Sequence, residues 1–112
     1  MSAVTKAKKI YTTKKNSLSR YFDSIPQMTQ DRSVSLDRLM DFKKGCKAAW
    51  EQFALAHESL MQVRTEDEDP EAEEFGALEV KRNELMGMLS EAIAVLNTER
   101  LNREQQARDE QA

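Results

Sequence analysis

The sequence predicts an all-α protein: an antiparallel three-helix bundle, or long helical hairpin, with a shorter basic N-terminal helix. Three observations carry this. Only three glycines and two prolines occur among 112 residues, so few positions oppose a helix. The good helix formers Ala, Glu, Lys, Leu, Arg and Met dominate the chain. Apolar side chains return every three or four positions along 36–64 and 75–99, the period of an amphipathic helix. A chain of this length supports one modest core, so residues 1–112 are read as a single helical domain. Its helices are expected at about 3–25, 35–64 and 70–101, with the tail 102–112 exposed or frayed.

In the first helix Val4, Tyr11, Leu18 and Ile25 recur every seven positions, joined by Ala7, Tyr21 and Phe22. Lys14 interrupts the stripe in its first half. Pro26 is expected to end this helix, because the residue before a proline is pushed out of the helical region. Residues 26–35 are polar and aperiodic, and read as a loop. Ser33 or Ser35 is suited to cap the second helix, its hydroxyl accepting an unpaired N–H of the first turn. From there Leu36, Leu39, Lys43, Cys46, Trp50, Phe53, His57, Leu60 and Arg64 follow alternating steps of three and four. Met40, Phe42, Ala49, Ala54, Ala56, Met61 and Val63 widen the stripe, which is then broad enough to meet more than one neighbour. Gly45 within this run implies a close backbone approach or a local bend, since glycine there costs about 1 kcal/mol relative to alanine.

Asp69 followed by Pro70 is a helix-start signal, an N-cap acid and then proline at the first helical position. Glu71, Glu73 and Glu74 suit the positive end of the helix dipole. Phe75, Leu78, Arg82, Leu85, Leu89, Ala92, Leu96 and Glu99 continue the three-four alternation, flanked by Met86 and Ile93. The short connector makes the second and third helices an antiparallel hairpin.

The formal net charge of −3 hides two opposite poles. Lys6, Lys8, Lys9, Lys14, Lys15 and Arg20 occupy residues 1–20 without an acid, and eight carboxylates occupy 65–79 without a base. The single cysteine, Cys46, excludes an internal disulfide and suits a reducing compartment. No apolar run reads as a signal peptide or membrane span, so a soluble cytoplasmic protein is expected.

Chemistry is hard to find. One cysteine and one histidine cannot make a His/Cys metal cluster. Cys46 and His57 lie eleven residues apart on one helix, roughly 16 Å, too far for a nucleophile–base pair. Both read as seam residues. The acidic run at 66–74 lacks the glycine turn of a calcium loop, and Gly76 and Gly87 are isolated within helical pattern rather than part of a phosphate-cradling loop. No catalytic, cofactor-binding or metal residue is assigned, and the chain is expected not to be an enzyme. The basic segment, Lys6 to Arg20 with Tyr11 among its lysines, is a candidate for RNA or anionic lipid headgroups, against a solvated helix face drawn to the acidic turn. Phe42, Trp50, Phe53, Leu60, Met61 and Met86 are candidates for a protein interface, because two long helices and a short one cannot cover both broad stripes at every level. The partner expected is a protein, including a second copy of the chain.

The segments KKNSLSRYFDSI, LDRLMDFKKGCKAAWEQFALAHESL and EFGALEVKRNELMGML, over about residues 8–96, resemble the N-terminal region of Gag-like polyproteins of Pao/BEL long-terminal-repeat retrotransposons. The Trp50–Phe53 step and the acid-rich approach to Phe75 carry the likeness. It implies a structural protein that helps assemble particles around element RNA. Neither a Cys-x2-Cys-x4-His-x4-Cys zinc knuckle nor an Asp-Ser/Thr-Gly protease motif occurs, so the resemblance implies an N-terminal domain or a stand-alone copy. The expectation is therefore a self-assembly module. The alternatives are a nucleic-acid or anionic-membrane binder working through the basic helix, and a spectrin-like adaptor bundle.

Overall fold

A computed structural model describes residues 2–64 and 70–111. It contains α1 (Ala3–Gln30), α2 (Leu36–Val63) and α3 (Ala72–Gln111), with no strand among the described residues. The helices run up, down and up, each against the other two, in a rod of 71 × 22 × 20 Å.

α1 begins at Ser2, whose Oγ accepts the Thr5 N–H at 3.1 Å. Its seven-residue stripe is buried at Tyr11, Leu18 and Ile25, joined by Phe22. Pro26 does not end the helix, which continues to Gln30. A proline in a helix interior costs about 3 kcal/mol. Here packing outweighs that cost: Leu18, Phe22 and Ile25 are at most 1% exposed, and each is worth about 1.5–3 kcal/mol on burial. Staying helical past Pro26 also keeps Met28 against the core. The Thr29 hydroxyl donates to the Pro26 carbonyl at 3.0 Å, and the Asp31 N–H closes the final turn on the Gln27 carbonyl.

The loop is consequently only 31–35. Of the two serines suited to capping, Ser35 takes the role, accepting from the Arg38 N–H at 3.2 Å. Ser33 instead donates its N–H and hydroxyl to Asp31 Oδ1, which holds that carboxyl below its usual range.

α2 turns its predicted seam inward. Leu39, Cys46, Phe53, His57 and Leu60 are buried, and Leu36, Lys43, Trp50 and Arg64 are half-buried. Gly45 serves a close approach to Tyr21 of α1 and lies within an unbroken helix.

α3 starts at Ala72, two residues after Pro70, with the Phe75 N–H bonded to the Glu71 carbonyl at 2.8 Å. The predicted Asp69 cap lies outside the described residues. Leu85 and Leu89 are buried, and Leu78, Ala92, Ile93 and Leu96 pack around them. The helix passes the expected end at Leu101 and runs to Gln111, its residues from 98 onward fully on the surface. At 1.5 Å per residue α3 spans about 60 Å and α1 and α2 about 42 Å, so α3 projects beyond the α1–α2 turn.

Candidate protein interface

Five aromatic rings join the three helices at the end near the α1 N-terminus. Tyr11 of α1 meets Phe53 (5.1 Å between centroids) and His57 (6.0 Å). Phe75 of α3 stacks on His57 at 4.5 Å and on Phe53 at 5.5 Å, and tilts against Trp50 at 5.3 Å. The Arg82 guanidinium covers Trp50 at 4.7 Å.

Polar contacts lock the same end. The Tyr11 hydroxyl donates to Glu74 Oε1 at 2.7 Å, and Lys15 reaches the Glu74 carboxylate at 3.4 Å. Arg64, at the α2 C-cap, grips Glu71 with both guanidinium nitrogens, Nη2 lying 2.8 Å from Oε1. That bidentate pair holds the Glu71 carboxyl below its usual range. Arg64 was legible as the last position of the α2 stripe and Tyr11 as part of the α1 stripe. Their carboxylate partners were not, because the acids read only as dipole-compatible residues.

This packing corrects part of the predicted interface. Phe53 and Leu60 have no exposed surface and belong to the chain's own core. Phe42 is half-buried against Tyr21, 5.2 Å away. Trp50 and Met86 are half-buried along an open groove between α2 and α3. Met61 is the member with broad free surface, 50% exposed.

The basic segment divides in two. Lys8 and Lys15 lie beside Glu71 and Glu74, on the flank of α1 facing the start of α3. Lys6, Lys9 and Lys14 surround the exposed Ile10 on another flank. Arg20 stands farther along, beside Tyr21 and Phe42.

Exposed apolar side chains outside the predicted stripes are Ile10 of α1, Leu55 of α2 and a larger set on α3. Val80, Val95 and Leu101 are more than half exposed, off the stripe that faces the core. Val95 also lines a groove of about 620 Å³ at the α1–α2 turn, with Met28, Leu39, Met88, Ala92 and Leu96. Positions 80, 87, 94 and 101 are seven apart, but Gly87 interrupts the outward series of Val80, Ala94 and Leu101, so the sequence carries only a weak signal for it.

Cys46 is buried, and desolvation pushes its thiol up to about 11. Among the described residues no three His, Cys, Asp or Glu side chains gather as a metal site, and no helix is long and apolar enough to cross a membrane. No family model, curated protein or solved structure matches the chain.

Proposed function

We propose that this chain is a non-enzymatic structural module that works by self-association through the projecting end of α3. The observation that carries the reading is that α3 presents large apolar side chains away from the core as well as toward it. One face, Leu78 to Leu96, covers the core. Away from the core, Val95 is 52% exposed and lines the groove at the α1–α2 turn, and Leu101, 51% exposed, stands beyond it on the projection. Exposed apolar side chains beside an open groove suit an association site.

A second copy is the natural occupant. The groove lies at the root of the projecting helix, so two copies meeting end to end place each projection beside the other's groove. That is a closed, isologous contact. The projection carries Arg100, Arg103 and Arg108 among Glu99, Glu104, Asp109 and Glu110, so opposite charges are available to pair across two antiparallel copies. The resemblance of residues 8–96 to Gag-like N-terminal regions supports the same reading, since those regions build particles by protein–protein contact.

Light scattering over a concentration series tests it. The wild-type mass rises with concentration, and Val95→Asp/Leu101→Asp stays monomeric with unchanged helicity. A wild-type protein that is monomeric throughout overturns the reading.

A further inference from the structure

Lys43, Lys47, Trp50 and Met86 gather along the α2–α3 groove, on a different side of the molecule from the α3 projection. This groove has a volume of about 410 Å³. Half-buried Trp50 and Met86 form its floor, with Cys46 beneath them. Lys43 and Lys47 rise from the α2 rim, and Arg82 and Asn83 from the α3 rim. Glu51 is the one carboxylate in the lining. Neither lysine pairs with a carboxylate among the described residues, and Arg82 spends its donors on the Asn83 side-chain oxygen while lying over Trp50.

Leu39 and Ala92 line one groove and Arg82 lies over Trp50, so α2 and α3 run antiparallel with a steady register. From Lys43 to Glu51 the α2 side of the groove is about 12 Å long, room for two helical turns.

We propose that the α2–α3 groove docks an amphipathic helix of a partner protein, with apolar residues along one face and acidic residues flanking them. The apolar floor between two helices is the seat a fourth helix takes in a bundle. The three cations against one acid select the charge of its flanks, since opposite charges both attract the right helix and penalise the wrong one. The apolar floor of Trp50 and Met86 favours an apolar helix face over a compact anion. The Trp50 face is already covered by Arg82, which leaves it closed to a stacking nucleobase.

Trp50 is the only tryptophan in the chain, so a tryptophan-free ligand is read directly by its fluorescence. The full chain is titrated with two synthetic 14-residue helical peptides that have leucine at every third or fourth position. One peptide is flanked by glutamate and the other by lysine. The glutamate peptide gives a saturable blue shift and the lysine peptide none. Lys47→Glu, an exposed change, weakens the glutamate peptide about tenfold or more, and Lys43→Glu/Lys47→Glu abolishes its binding, with circular dichroism confirming that each variant is folded. Three results would overturn the proposal. One is no shift up to about 1 mM peptide. Another is equal binding of the two peptides. The last is a single-stranded RNA that shifts Trp50 where the glutamate peptide does not.

Discussion

The ring of Tyr21 fills the space that a side chain at Gly45 would need: a β-carbon there would stand 2.8 Å from Cε1 and 2.9 Å from Oη. Both distances are below any normal contact, and the ring is also held against Phe42. α1 and α2 thus approach as closely as they do because position 45 has no side chain.

Gly45→Ala gains about 1 kcal/mol of helix propensity but forces the Tyr21 ring aside, and overpacking of this kind costs about 1–3 kcal/mol. A net loss of about 1 kcal/mol is expected in chemical denaturation. In a Tyr21→Ala background the same change stabilises the protein, because the obstruction is gone. Gly76 and Gly87, where an added β-carbon meets nothing within 4 Å, behave oppositely. Alanine at each raises stability by about 1 kcal/mol.

Glu71→Gln breaks the bidentate contact with Arg64 and costs about 1.5–3 kcal/mol at neutral pH. The Arg64 pair holds the folded carboxyl below its unfolded value of 4.5. Its contribution is therefore complete above pH 4.5 and is lost as pH falls through the lowered folded value. Denaturation at a series of acid pH values should show wild type and Glu71→Gln converging below 4.5.

Burial raises the Cys46 thiol from 9.0 to about 11, so the fold favours its neutral form. Between those values the unfolded chain holds fewer protons than the folded one, and this group's contribution to stability declines as pH rises from 9 toward 11. Near neutral pH the thiol is both protonated and inaccessible. Iodoacetamide labelling followed by mass spectrometry should proceed only at the rate of unfolding, and rise sharply in denaturant.

Phe53→Ala removes a ring that touches Tyr11, Trp50 and Phe75 with no exposed surface, and is expected to cost about 3–5 kcal/mol. Met61→Ala, at a half-exposed site, should stay within about 0.5 kcal/mol of wild type. Comparable losses at both positions in thermal melts would contradict this assignment of the core.

The α2 stripe was legible almost residue by residue, because a three-four alternation fixes which side of a helix is covered whatever covers it. It does not say whether the cover comes from the same chain. Phe53 and Leu60 therefore read as interface candidates, although Tyr11 and Phe75 in the one case and the intact core in the other enclose them completely. Pro26 lies inside α1 rather than at its end because the burial of Phe22 and Ile25 beside it outweighs the local effect of proline, and burial is not written in local sequence. The locks at Glu71 and Glu74 depend on contacts across 7 to 63 residues of chain, which no spacing rule encodes. On α3 the inward stripe is the stronger signal, and Val80 and Leu101 lie off it as isolated exposed residues.

Amide hydrogen exchange at dilute and at high protein concentration tests the self-association of α3 most directly. Residues 98–111 are exposed throughout, so their amides should exchange rapidly in dilute solution and become protected as concentration rises, while 39–60 stay protected throughout. Exchange at 98–111 that is equally fast at every concentration would contradict the account.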